Sequence, residues 1–251
     1  MLTDAHLHLY DLFEASGGAE PASIAGLCCA SAWNMEEFLW QESFAQRRLT
    51  GSVLLSFGIH PQNPDSEALR FLDELASGKR IDAVGECGYD LYTAEYRAQA
   101  AEQKTVRDAQ FEIARRYALP VVLHCRKAMH LVFADLPMLK RLPSVIFHGW
   151  PGGLNEAVSL LERGVNAWFC AGKGLLRKDR SLIATAAGIP FDRLLAETDA
   201  PYMHLKGEKL TPASDIVKVH AAIAALRGIG TEQCESVIER NFRSAFGLQL
   251  Q

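Results

Sequence analysis

Short apolar or β-branched runs alternate along this chain with longer stretches whose apolar positions recur every three or four residues. The runs read as strands are LTDAHLHLY from Leu2, IAGLCCAS from Ile24, SVLLSFG from Ser52, IDAVGECG from Ile81, LPVVLHC from Leu119, SVIFHG from Ser144, VNAWFCAG from Val165 and RLLAETDA from Arg193. Helical spacing, as in Val106, Ala109, Ile113 and Tyr117, predicts helices over Met35 to Arg48, Ser66 to Leu75, Ala94 to Tyr117, Ala128 to Arg141, Asn155 to Arg163 and Lys178 to Ala187. Eight strands with intervening helices predict an α/β fold of the (β/α)8 TIM-barrel type. The first connection, Asp11 to Ser23, is Gly-rich and a poor helix former. Two further helices, Ala213 to Leu226 and Thr231 to Phe246, would close the C-terminal side. Neither a linker nor a repeat interrupts the alternation, so a single domain is expected over residues 1–251.

The polar residues that break these apolar runs carry the chemistry. In the opening TDAHLH, strict alternation would put Asp4, His6 and His8 on one side and Ala5 and Leu7 on the other. Two imidazoles about 7 Å apart along one face suit a divalent cation, although a buried, hydrogen-bonded pair would look the same. His60, Glu86, His124, His148 and Asp199 fall likewise at the C-terminal ends of later strands, where barrel enzymes build active sites. Each has a plain alternative. His60 before Pro61 could serve a turn, Glu86 a strand edge, His124 and His148 the core, and Asp199 a cap. One metal centre accounts for all of them together.

Composition narrows the classes. With 26 Lys and Arg against 30 Asp and Glu, the net charge of −4 does not suit a protein that coats nucleic acid. Apolar residues make up 49%, no apolar run reaches membrane-spanning length, and the N-terminus enters a strand without a signal-like segment. A cytoplasmic protein, not associated with membrane and with no obligate protein partner evident, is expected. Cys28, Cys29, Cys87, Cys125 and Cys170 lie in or beside apolar runs without CxxC spacing, and so read as small buried hydrophobes rather than zinc ligands.

The segments DAHLH, GIHPQ, GECGYD, LHCR, FHG and ETDAPY, with NFRSAFGL near the end, resemble the TatD-type metal-dependent deoxyribonucleases of the amidohydrolase superfamily, in that family's order and over essentially the whole chain. The resemblance implies a TIM barrel with two divalent cations. By position, His6, His8 and Asp199 would bind one, His124 and His148 the other, and Glu86 would bridge them. Departures fall at Tyr89, where the family usually has Leu, at Gly149 and Trp150, where a Cys-Phe pair is usual, and in GEKLTPASD, which replaces an Asn-containing motif. None touches an expected ligand, so they bear on substrate preference.

Phosphodiester hydrolysis would then assign roles. Asp199 is expected to orient or deprotonate the attacking water, with Glu86 bridging and His60 beside the substrate phosphate or behind the ligands. Asp4 is expected to fix a ligand histidine's tautomer through a hydrogen bond. Mixed imidazole and carboxylate ligands admit Mg²⁺, Mn²⁺ or Zn²⁺. Arg126, Lys127 and Lys173, with Arg177, Lys178, Lys206 and Lys209, are expected in loops on the catalytic face, where they could hold a DNA or nucleotide substrate despite the acidic average. A metal-dependent DNase of exonuclease type is the leading reading. A small-molecule amidohydrolase or esterase would use the same site. A trinuclear phosphoesterase would typically need a histidine where Pro201 stands, and a non-catalytic barrel would have lost ligands.

Overall fold

The apolar runs pair in sequence order. In the computed structural model, which describes residues 1–21, 23–48 and 52–249, the strands are β1 (Thr3–Leu7), β2 (Leu27–Ala32), β3 (Ser52–Phe57), β4 (Ala83–Asp90), β5 (Val121–Arg126), β6 (Val145–Phe147), β7 (Ala167–Ala171) and β8 (Leu194–Ala196). They form one parallel sheet, each strand beside its successor. Backbone bonds just beyond β8 close it: Asp199 N donates to His6 O at 3.0 Å, and His8 N to Ala200 O at 2.7 Å. The fold is the expected (β/α)8 barrel. Leu250 and Gln251 of the expected domain lie outside the described residues.

The helices are α1 (Leu9–Ala15), α2 (Met35–Arg47), α3 (Ala68–Ser77), α4 (Ala94–Ala98), α5 (Ala100–Arg116), α6 (Met129–Ala134), α7 (Leu136–Leu139), α8 (Leu154–Glu162), α9 (Arg180–Gly188), α10 (Ile216–Arg227) and α11 (Thr231–Ala245). The Gly-rich first connection does supply a helix, α1, because Leu9 and Leu12 find a buried seat. The expected helix over Ala128 to Arg141 breaks into α6 and α7 at Pro137, which lacks an N–H and crowds the carbonyl four residues back. None of the described helices is long and apolar enough to cross a membrane.

Two clusters make up the core. One lies between sheet and helices; the other fills the barrel, where Ala5, Leu27, Cys29 and Val122 meet Phe242 and Phe246 of the α11 segment. All six cysteines are buried and unpaired.

Two strands depart from strict alternation, and both departures shape the site. Between Asp4 and Leu7, β1 advances three residues while β2 advances two, from Cys28 to Ala30. The extra residue flips the pattern: Ala5 joins the cluster inside the barrel and Leu7 the cluster outside it, so they do not share the face that alternation assigns them. In β4 the same slip against β5 falls between Val84 and Cys87, with Glu86 inside it.

Glycine just past the second slip lets β4 lie close against β5. Gly88 has φ +139°, and a Cβ there would stand 2.1 Å from the backbone oxygen of His124. Gly88→Ala should therefore cost about 3 kcal/mol or more, because neither the backbone angle nor the neighbouring strand accommodates a side chain. Urea unfolding would measure it, and a wild-type midpoint would contradict this reading of β4.

Candidate metal centre

Six of the barrel's strands bring imidazoles and carboxylates to one mouth, at their C-terminal ends, His60 arriving just after β3. His6 lies in β1, and His8 caps the start of α1. Glu86 sits in the β4 bulge and His124 in β5, while His148 follows β6 and Asp199 follows β8. Asp199 has φ +55°, a left-handed geometry uncommon for a side chain other than Asn, Asp or Gly. It is held there by its backbone bond to His6 O.

The donor atoms fall into two sets. His6 Nε2 lies 3.1 Å from His8 Nε2, 3.3 Å from Glu86 Oε2 and 3.5 Å from Asp199 Oδ1. His8 Nε2 lies 3.5 Å from Glu86 Oε2 and 3.6 Å from Asp199 Oδ1. Around an ion whose ligands sit at about 2.1 Å, tetrahedral ligands are about 3.4 Å apart, so these donors are spaced as a cation's first sphere would space them. The other set faces the second oxygen of Glu86: Oε1 is 2.6 Å from His124 Nδ1, 2.7 Å from His148 Nε2 and 3.3 Å from His60 Nε2. Among the described residues, His6, His8 and Glu86, His60, Glu86 and His124, and His6, His148 and Asp199 each form a group able to hold a metal ion.

Electrostatics suits such an occupant. Burial pushes the Glu86 carboxyl up, but His148, His60 and His124 outweigh it and hold it well below the usual range. Burial likewise opposes ionisation of Asp199, and His8 and His148 keep it low. Burial lowers His8 and His148, yet Asp199 and Glu86 carry His8 up to about 10, and Glu86 carries His148 up to about 9. His6, buried and repelled by His148, falls to about 4. Without a cation, then, His8 and His148 hold protons at pH 7 that a metal must displace. Metal binding at pH 7 should release protons and weaken as pH falls, because His8, His148 and His124 are all raised and must give up their protons to bind. Calorimetry in buffers of different ionisation enthalpy checks this; heats that do not change with buffer would refute it.

Three residues behind the donors were not singled out from the sequence. Ser31 Oγ lies 3.1 Å from His6 Nδ1, Asp90 Oδ2 lies 3.2 Å from His124 Nε2, and Glu197 Oε2 lies 3.9 Å from His148 Nδ1. The first two contacts can set the tautomer and ring pose of a ligand histidine, whereas Glu197 is too far from His148 for a hydrogen bond and instead accepts from Gly149 N at 2.7 Å. Asp90 and Glu197 were visible as acids inside GECGYD and ETDAPY, whereas Ser31 is one small polar residue in an apolar strand. Asp4 does not play the part expected of it. Its carboxylate accepts from Thr198 N at 2.9 Å, Thr198 Oγ1 at 2.6 Å and the backbone N of His6 at 3.4 Å, so it joins β1 to the segment after β8 rather than gripping an imidazole.

The mouth is a cavity of about 740 Å³ whose walls also include Trp33, Tyr96, Arg126 and Tyr202. Arg126 is exposed and its guanidinium stacks 3.6 Å over the Tyr92 ring, whereas Lys127 lies in an adjoining cavity. Lys173 is a correction. Its side chain is fully buried, with Nζ 2.5 Å from Glu208 Oε2 and 2.6 Å from Asp215 Oδ2, so it holds the loop after β8 and is not free for phosphate. Arg177, Lys178, Lys206 and Lys209 are not among the residues lining the mouth. The segment GEKLTPASD thus supplies Lys173's partners, and Tyr89 is buried with its hydroxyl donating to Asp135 at 3.0 Å.

The model of the family described as TatD related DNase matches residues 3–247. The chain belongs to the TatD-related DNase family. This TatD-family chain is 31% identical over 244 residues to a 3'-5' ssDNA/RNA exonuclease TatD of Erwinia billingiae, covering 92% of this chain and 90% of that one. It is 31% identical over 207 residues to the protein of the same name from Klebsiella pneumoniae, covering 77% of this chain and 76% of that one. Among solved structures, YJJV, a TatD homolog from Escherichia coli K12, superposes with a TM-score of 0.83 at 25% identity, over 99% of this chain and 98% of that one.

Proposed function

We propose that this chain is a metal-dependent 3'-5' exonuclease that hydrolyses phosphodiester bonds of single-stranded DNA or RNA with two divalent cations. The observation that carries the reading is the division of Glu86: Oε2 faces His6 and His8, while Oε1 faces His124 and His148. His6, His8 and Asp199 would hold one ion, His124 and His148 the other, with Glu86 shared. Two such cations supply a polarised phosphate, a water of lowered pKa and charge stabilisation on the leaving oxygen.

The chain's own groups do the rest. Asp199, kept ionised by its imidazole neighbours, accepts the proton of the attacking water. His60, partly exposed at the cavity wall and 3.3 Å from Glu86, meets a non-bridging oxygen of the phosphate. Asp90 and Ser31 fix the poses of His124 and His6. A single domain in the cytoplasm fits the backbone bonds between β1 and the segment after β8, and the six unpaired cysteines.

An oligonucleotide labelled at its 5' end and incubated with the chelated, then reloaded, protein tests the reading. Mg²⁺, Mn²⁺ and Zn²⁺ should be compared, and a ladder shortening from the 3' end is expected only with metal. Turnover of simple esters or amides with nucleic acid untouched would transfer the site to small-molecule hydrolysis.

A further inference from the structure

Beside the metal-bearing mouth lies a second cavity of about 420 Å³, which shares Cys125, Arg126 and Pro151 with the first. Its volume is within the range of about 300–1,000 Å³ usual for small-ligand sites. Tyr92, Lys127, Ala128, Met129 and His130 complete its walls, and no carboxylate is among them. Among the described residues, no carboxylate pairs with Arg126 or Lys127, and the Tyr92 ring is half exposed beneath the Arg126 guanidinium. The backbone beneath the pair is anchored. Leu91 N donates to Arg126 O at 2.9 Å, and Tyr92 N donates to Asp90 Oδ1 at 2.8 Å, while the other oxygen of Asp90 lies against His124. A planar cation on an aromatic ring, fixed one strand-end from the metal centre and next to an unpaired lysine, has the makings of a base platform with a phosphate contact.

We propose that this second cavity is the subsite for the nucleotide on the retained side of the scissile bond, its base lying against the Tyr92 and Arg126 stack and its phosphate meeting Lys127. The inference rests on the nuclease reading above. Because stacking reads the face of a base and not its edge, the subsite accepts any base. It also requires that base to be free of a duplex partner, so single strands are preferred.

The test compares kcat/KM for trithymidylate, which would fill both cavities, with that for thymidine 5'-(4-nitrophenyl phosphate), which has no nucleotide for the second. In Tyr92→Ala and Arg126→Ala, with folding checked by thermal melting, the ratio of the two should fall by roughly tenfold or more. Arg126→Lys keeps the charge without the planar stack and should recover only part of it. Chelated protein should bind a fluorescein-labelled pentathymidylate less tightly in the same variants, and Lys127→Ala should flatten the salt dependence. A ratio unchanged in both alanine variants, or an equal fall on both substrates, overturns the subsite alone. Failure of the unaltered, metal-loaded protein to hydrolyse either compound overturns the nuclease reading and the subsite with it.

Discussion

Asp199→Asn should lower the hydrolytic rate by roughly a thousandfold, in the range seen when a positioned general base is lost. Asparagine keeps an oxygen where Oδ1 faces His6 and His8 at 3.5 and 3.6 Å, so part of the metal content should survive. It removes the charge and basicity, so a water proton has no nearby acceptor of the same strength. Single-turnover rates alongside metal content by mass spectrometry separate the two roles. Full activity at normal metal content would show that Asp199 is not the base.

Glu86→Ala should act through stoichiometry. Both donor sets lean on this one carboxylate, so its removal leaves His6 with His8, and His124 with His148, facing each other without a shared anion between them. The expected result is loss of at least one of two binding steps in calorimetry and a fall in activity at least as large as that of Asp199→Asn. Two intact steps of wild-type affinity would mean the ions do not share Glu86.

Most of the architecture could be read from periodicity, because parallel barrel strands are buried on both faces and stand out as apolar runs. The donor residues were equally plain: imidazoles and carboxylates interrupting those runs need a compensating partner. What escaped was set by register and by partners distant in the chain. A pattern of period two contains nothing that marks the β1 slip, so Ala5 and Leu7 were placed on a common face that the bulge separates. Lys173 read as a free cation because Glu208 and Asp215, its partners, come far later in sequence. Asp4 looked like a histidine's partner because its neighbours in sequence are histidines; its actual partner, Thr198, comes from the other end of the chain.

That meeting of chain ends bears on the order in which the protein can be completed during synthesis. His6 and His8 leave the ribosome roughly 190 residues before their carboxylate neighbour Asp199 and the Thr198 that engages Asp4. A nascent chain would therefore carry a half-built cation trap while those residues are made, and an ion would lock only when the eighth strand arrives. Held from both sides, such an ion would act as a clasp across a loop of nearly two hundred residues. Because these ligands meet only in the folded chain, metal binding favours the folded state, and the loaded enzyme should resist unfolding more than the chelated one.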